Sequence, residues 1–417
     1  MISKWKPELL APAKNLERLK VAILYGADAI YVGGQQYGLR ARADNFTDYD
    51  LKQGVAFAHE HHAKLYVTLN AFLHDADLEG LGDYCQFLES IGIDAVIVSD
   101  LGVLRVVRQS STLNIHLSTQ ASCLNSSAAE LWKQFGVKRL IVGRELSIAE
   151  TGLIGEKSGI DVEMFIHGAM CMAYSGHCTI SNFTAGRDSN RGGCIQSCRL
   201  PYTLENQELE NKQPNPVTFM SSKDLWGVEQ VTDFFKHKIC SLKIEGRMKS
   251  SFYVAMTCKA YRQLIDAYSE GIITPELVQK IAMNLESIPH RDYCSGSLAN
   301  PADSNTVFGQ LTGNNRGTHE YLGIVIDRTS DYLAVQLLEP LAVGDEIEII
   351  PPQGEIINWT ITQLFSVTGT LLYRIQKDSV VCIPRVDILQ EISKFTVIRL
   401  SRQKTRMQPD LVTSSEY

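Results

Sequence analysis

The sequence predicts an α/β protein, a TIM-like (β/α)8 barrel with a cysteine-bearing insertion, followed by a small C-terminal all-β domain of barrel-like form. Three observations predict it. From residue 8 to about 250 a short β-branched run, a polar or glycine turn and a segment of helical period recur in that order. The strand-like runs number eight, the count that closes a parallel barrel. Beyond Tyr321 the period changes to two. A doubly wound open sheet would alternate in the same way, but no dinucleotide or phosphate fingerprint follows the first run.

In chain order the expected strands are Glu8–Ala11, Ala29–Gly33, Lys64–Asn70, Ala95–Asp100, Asn114–Gln120, Arg139–Arg144, Val162–His167 and Ser241–Glu245. Between them lie helical stretches such as Leu16–Tyr25, Leu81–Ile91 and Ala128–Phe135, followed by Gly26, Gly92 and Gly136, where a left-handed cap residue ends a helix. About seventy residues separate His167 from Ser241, too many for a plain connection, so an insertion is expected there. In it Pro201-Tyr202-Thr203-Leu204 and Pro216-Val217-Thr218-Phe219-Met220 read as a hairpin, and Asp224 as the cap of a helix running to about His237. A long helix is expected over Phe252–Tyr268. The domain reading is a barrel over 1–283 with its insertion at 168–222, a linker at 284–320, a β domain at 321–400 and a tail at 401–417. Strands of the last domain are expected at Leu322–Ile326, Tyr332–Gln336, Asp345–Ile350 and Phe395–Ile398.

Composition narrows the function. In 417 residues, 44% are hydrophobic and 21% charged, with 40 Lys+Arg against 47 Asp+Glu, which argues against disorder and against a polycationic coat. Any RNA contact must then be a local patch. The candidates are Lys236, Lys238, Lys243, Arg247, Lys249, Lys259 and Arg262, and a second group of Lys394, Arg399, Arg402, Lys404 and Arg406. No apolar stretch reaches the roughly 18 residues that span a bilayer, and the start lacks the apolar core of a signal peptide, so a cytoplasmic protein is expected.

In a barrel of this kind the site forms where the strands end. The candidates are Asn70, Asp100, Gln120, Arg144, Glu145, His167, Lys243, Glu245 and Arg247, with Arg40, Arg42 and Asn45 after the second strand. A polar residue just past a strand is often only a helix cap or an ion-pair partner. As a set, the Arg-Glu and Lys-x-Glu-x-Arg strand ends exceed what capping needs and favour a small acidic ligand held by cations.

Cysteine placement is the sharper signal. Of ten cysteines, Cys171, Cys178, Cys194 and Cys198 fall in one 28-residue, glycine-rich window, where even spreading predicts about 0.7. Zinc and an iron–sulfur cluster both accept four thiolates, and the spacing leaves both open. Hydrolase signatures are missing. Gly-x-Ser-x-Gly is absent, Ala63 stands where a zinc-protease motif starting at His59 would need its second histidine, and Gly155-Glu156-Lys157-Ser158 lacks the upstream glycine of a phosphate loop.

Five segments carry a resemblance: Glu8-Leu9-Leu10-Ala11-Pro12, Gly26 to Gly33, Cys171-Met172-Ala173-Tyr174-Ser175-Gly176-His177-Cys178, Asn190-Arg191-Gly192-Gly193-Cys194 and Lys243-Ile244-Glu245-Gly246-Arg247-Met248. Through them the chain resembles the collagenase-like peptidase family of unassigned catalytic type over residues 8 to about 300. With its length and single β domain it is most similar to the tRNA-hydroxylation branch of that family. The resemblance implies a four-iron, four-sulfur (4Fe-4S) cluster, tRNA as partner, and oxygen-independent hydroxylation of the wobble uridine to 5-hydroxyuridine with prephenate as co-substrate. The family also contains a hydroxylating pair, so a partner subunit of the same family is a further expectation. Some relatives take the last cluster cysteine from just after Lys-Asp-Leu. Here Trp226 follows Lys223-Asp224-Leu225, which leaves Cys198 as the expected fourth ligand.

Overall fold

The computed structural model describes residues 5–39, 45–203, 216–303, 316–384 and 392–401. Eight parallel strands close into a barrel: β1 (Glu8–Pro12), β2 (Ala29–Val32), β3 (Lys64–Leu69), β4 (Ala95–Val98), β5 (Asn114–Leu117), β6 (Arg139–Ile141), β7 (Asp161–Ala169) and, after one intervening strand, β9 (Ser241–Ile244). Each pairs with the next, and β9 joins β7 to β1 through Met164↔Leu242 and Leu9↔Leu242. The eight expected strands are therefore the barrel, though several stop two or three residues short of the expected end. Helices α1 (Leu16–Leu24), α2 (Asp48–Glu60), α3 (Leu81–Ser90), α4 (Leu101–Ser110), α5 (Ser126–Gln134) and α6 (Ile148–Ser158) fill the connections. Asn15, Thr47, Asp100, Asn125 and Ser147 cap five of them with side-chain oxygens. That cap is the role of Asp100, whose Oδ1 accepts from the Val103 amide at 3.0 Å.

An ion network fills part of the barrel interior. Glu163, fully buried, takes Arg139 at 3.2 Å and Lys243 at 3.0 Å, and Arg139 also reaches Glu8. Burial opposes the charge of Glu8, but Arg139 and the Tyr66 hydroxyl outweigh it and hold the carboxyl below its ordinary range.

The insertion contains a short helix α7 (Ile180–Ala185) and returns as β8 (Asp224–Trp226), which runs antiparallel to the far end of β7 through His167↔Trp226 and Ala169↔Asp224. Asp224 thus starts a strand and caps no helix. Its carboxylate is taken by the Arg291 guanidinium and backbone amide, and the helix that follows, α8 (Val231–Lys236), begins seven residues later. Tyr202 and Val217 form one antiparallel bridge of the expected hairpin, and Leu204 lies outside the described residues. After β9 come α9 (Ser251–Glu270), mostly buried, and α10 (Pro275–Glu286).

Residues 287–303 are not a linker. Tyr293–Cys294 forms β10 alongside β8, and His290 stacks on Tyr293 at 4.0 Å. The β domain contains β11 (His319–Arg328), β12 (Tyr332–Leu337), β13 (Leu341–Ala342), β14 (Glu346–Ile350), β15 (Ile357–Thr360), β16 (Leu364–Phe365), β17 (Leu371–Leu372), β18 (Arg374–Ile375), β19 (Val380–Pro384) and β20 (Val397–Ser401), paired antiparallel. Along β12, Leu333, Val335 and Leu337 are buried between more exposed neighbours, as a period of two requires.

This domain packs firmly on the barrel. Ile324, Ile350 and Val397 belong to the barrel's apolar core, and the buried Tyr25 hydroxyl donates to the Ile350 carbonyl and accepts from the Val397 amide at 3.0 Å. Part of the expected basic patch is spent on structure. Lys259 caps the Pro351 and Gly354 carbonyls, Arg262 pairs with Asp28 and Asp266, and the buried Arg399 bonds Glu348 and Ser287. Lys236, Lys238 and Lys394 are exposed, while Arg402, Lys404 and Arg406 lie outside the described residues. Among the described residues no helix is long and apolar enough to cross a membrane.

Candidate active site at the barrel mouth

The strands deliver their C-terminal residues to one end, where they surround a cavity of about 190 Å³. Its wall is set by Asn70, Gln120, Arg144, Lys243, Glu245 and Arg247, six of the nine strand-end candidates. Asn70 Nδ2 donates to Ser118 Oγ at 3.3 Å, and its Oδ1 is buried with no partner. Gln120 sits on a single 3-10 turn, Thr119–Ala121, and the Thr119 hydroxyl is likewise buried and unpartnered. Buried polar atoms are almost always satisfied, so such atoms around one cavity mark a place for a polar ligand.

Arg144 follows β6. Its guanidinium lies 3.7 Å from the Phe165 ring centroid, its Nε is buried without a partner, and among the described residues no carboxylate pairs with it. Lys243 and Arg247 differ. Lys243 is neutralised by Glu163 and lies 4.4 Å over the Tyr31 ring, and the buried Arg247 donates to Asn45 Oδ1 at 2.8 Å. Glu245 accepts from the Tyr31 hydroxyl at 3.0 Å. Arg40 and Arg42 lie outside the described residues.

Besides the capping Asp100, two of the candidates stand away from the cavity. The Glu145 carboxylate lies against Gly143, where an added Cβ would meet its Oε2 at 2.1 Å. His167 is buried behind the wall among Trp226, Tyr253, Tyr261 and Tyr293, with Nδ1 3.0 Å from the Tyr261 hydroxyl. Burial lowers its pKa to about 3, so the ring is neutral at physiological pH. Because β7 runs to Ala169, His167 is a residue within the strand and not one at its end.

The cysteine segment closes over this mouth. At Gly176, φ is +83° and an added Cβ would stand 2.0 Å from the Gln120 carbonyl oxygen, so only glycine lets the loop lie on the barrel rim. The Phe72 amide donates to Asn190, Arg191 donates to the Phe72 carbonyl at 2.9 Å, and Arg191 also pairs with Asp77. Thr184 Oγ1 donates to Ser197 Oγ at 2.7 Å and fixes the turn that carries Cys198. Cys171, Cys194 and Cys198 line the cavity. Burial raises the pKa of Cys198; the neighbouring Arg199 guanidinium works against it, and Cys171, Cys194 and Cys178 add to the rise.

None of the four is in a disulfide. As a set of soft donors at the edge of one cavity they fit an iron–sulfur cluster or another thiophilic metal, although among the described residues no three Cys, His, Asp or Glu already stand at ligating positions. Sequence reasoning missed Arg199, which lines the cavity one residue after Cys198 and whose side chain donates to Gln196 Oε1 at 3.1 Å. Its adjacency to a candidate ligand was the available signal.

Fold and site together define a (β/α)8-barrel protein whose mouth is lined jointly by strand-end polar groups and the thiols of one insertion. The chain belongs to peptidase family U32, whose family model matches residues 14–307. It is 40% identical over 377 residues to "tRNA hydroxylation protein P1" of Bacillus subtilis, covering 88% of this chain and 89% of that protein. It is 32% identical over 416 residues to "tRNA hydroxylation protein P" of Escherichia coli, covering 88% and 90%. It is 31% identical over 377 residues to a protein named "Collagenase" from Porphyromonas gingivalis, covering 84% and 88%.

Proposed function

We propose that this chain is an RNA-modifying hydroxylase that converts the wobble uridine of tRNA to 5-hydroxyuridine without molecular oxygen, taking the hydroxyl from prephenate. The observation that carries the reading is the composition of one cavity, where an unpaired arginine, unsatisfied polar atoms and three thiols meet. Two relatives of nearly full coverage are named for tRNA hydroxylation. Cys171, Cys178, Cys194 and Cys198 would hold a four-iron, four-sulfur cluster, which when bound supplies one-electron redox chemistry. The chain's own contribution is binding and orientation. Arg144 offers a planar fork to a carboxylate, while Asn70 and Thr119 offer polar atoms to the remaining oxygens. Oxidation of the uracil C5 position by two electrons is balanced by reduction of the acid that gives up its hydroxyl.

The family's peptidase name finds no support at this cavity. Among the described residues, no serine, threonine or cysteine lining it hydrogen-bonds a histidine or carboxylate that could serve as its base. The reading places the protein in the cytoplasm with its tRNA. In a strain lacking the gene, mass spectrometry of tRNA should show the 5-hydroxyuridine family of wobble nucleosides lost, and the wild-type gene should restore it. Protein purified without oxygen should be brown. Unchanged nucleosides in the deletion strain, with no other copy of the gene present, would overturn the proposal.

A further inference from the structure

The charge at the barrel mouth is unequal. Four cations line the cavity, Arg144, Arg199, Lys243 and Arg247, against the lining carboxylate of Glu245 and the carboxylate of Glu163 that holds Lys243. That leaves an excess of two positive charges. Of the four cations, Lys243 is held by Glu163 and Arg247 by Asn45, whereas among the described residues Arg144 and Arg199 have no carboxylate partner, and the two reach the cavity from different parts of the chain. Arg144 follows a barrel strand and is held face-on against Phe165. Arg199 closes the turn Ser197–Arg199 of the insertion and is oriented by Gln196 Oε1. Asp224, the carboxylate whose charge acts on Arg199, is already committed to Arg291.

We infer that Arg144 and Arg199 are a paired anion-binding device that selects a small dicarboxylate over a monocarboxylate, with one carboxylate on the barrel and the other on the cysteine segment. This rests on the proposed hydroxylase reading for the identity of the acid, but not for the site itself. Two arginine forks suit two carboxylates, since each presents parallel donors that a lone lysine does not. Buried, unpartnered polar atoms of Asn70 and Thr119 line the same cavity and can accept from or donate to the uncharged oxygens of such an acid. The arrangement also links the two halves of the site: a dianion held by both arginines ties the Cys198 turn to the barrel, so the acid and the thiol segment stabilise one another.

The test is calorimetry on anaerobically purified full-length protein with prephenate, which has two carboxylates, and phenylpyruvate, which keeps one. Wild type should prefer prephenate by about 10- to 100-fold, the range expected for one charge-assisted carboxylate contact. In Arg144→Gln and Arg199→Gln that preference should fall to within about threefold. Arg199→Lys should keep the charge and lose most of the preference, which separates fork geometry from charge alone. Iron content and the visible spectrum are measured on every variant. A full prephenate preference in Arg199→Gln would overturn the inference and leave the hydroxylase reading untouched. Iron lost together with the preference in both Arg199→Gln and Arg199→Lys would also overturn it, assigning Arg199 to the charge of the thiolates. Should wild type ignore prephenate yet bind succinate in an Arg144- and Arg199-dependent way, the dicarboxylate site stands and the choice of prephenate falls.

Discussion

Replacing Glu163 by glutamine tests whether the barrel interior is held by charge. Glu163 is fully buried between Arg139 at 3.2 Å and Lys243 at 3.0 Å, and glutamine keeps its shape and one acceptor oxygen. Arg139 retains Glu8 in the variant, so the loss falls on Lys243, left with the faces of Tyr31 and Phe165. Removing one partner of a buried pair costs about 3–5 kcal/mol, and the surviving Glu8 contact argues for about 3, roughly 150-fold in the folding equilibrium. Urea unfolding followed by tryptophan fluorescence reads this loss. Adding Lys243→Met removes the orphaned charge and should bring stability back to within about 1 kcal/mol of wild type. Because Lys243 lines the cavity, the single variant should at the same time bind small acids more tightly, losing stability while gaining affinity. A double variant no more stable than Glu163→Gln alone would refute the reasoning.

Four shorter predictions follow from other contacts. Cys194→Ala should lower iron per chain and hydroxylation together, whereas Cys382→Ala, on β19 of the other domain, should change neither; full iron in Cys194→Ala removes that ligand. Gly176→Ala forces a side chain into a backbone conformation costing about 1–2 kcal/mol and against the Gln120 carbonyl, so the loop should lift and the four thiols react faster with a disulfide reagent. Hydrogen bonding from His319, then Arg399, depresses the Glu348 pKa from 4.5 to about 2, so its stabilisation is complete above about pH 4.5 and is lost as pH falls toward 2; Glu348→Gln should flatten that part of the pH–stability curve. Truncation before β11 should give insoluble protein, because Ile324, Ile350 and Val397 cover the barrel and Tyr25 would lose both partners; a soluble truncated barrel would count against this.

The barrel was legible because its strands are short β-branched runs separated by helices with strong caps, such as Asp100 and Ser147, and local signals of that kind survive in one dimension. The cavity wall followed from the rule that strand ends converge, which found Asn70, Gln120, Arg144, Lys243, Glu245 and Arg247. What sequence could not show was which cations are already spent. Lys243 pairs with a residue eighty positions away and Arg399 with Ser287 across the domain junction, partners that only folding brings near. The same reason turned Asp224 from an apparent cap into the partner of Arg291, and the polar stretch after Glu286 from an apparent linker into a packed edge. His167 was misjudged by two residues of strand length, enough to move it from the cavity into an aromatic box.

The cysteine segment leaves the barrel at the end of β7 and comes back as β8 beside the same strand, so its entrance and exit are neighbours. Closure of the barrel runs through β7 and β9 and does not pass through the segment at all. Such an arrangement behaves like a plug-in cartridge: a different excursion, cut in between Ala169 and Asp224, meets the same pair of strand ends and the same ring of polar groups. The segment and the barrel can therefore diverge separately, which makes chimeras that swap only this stretch between relatives a direct route to learning what each half contributes to the site.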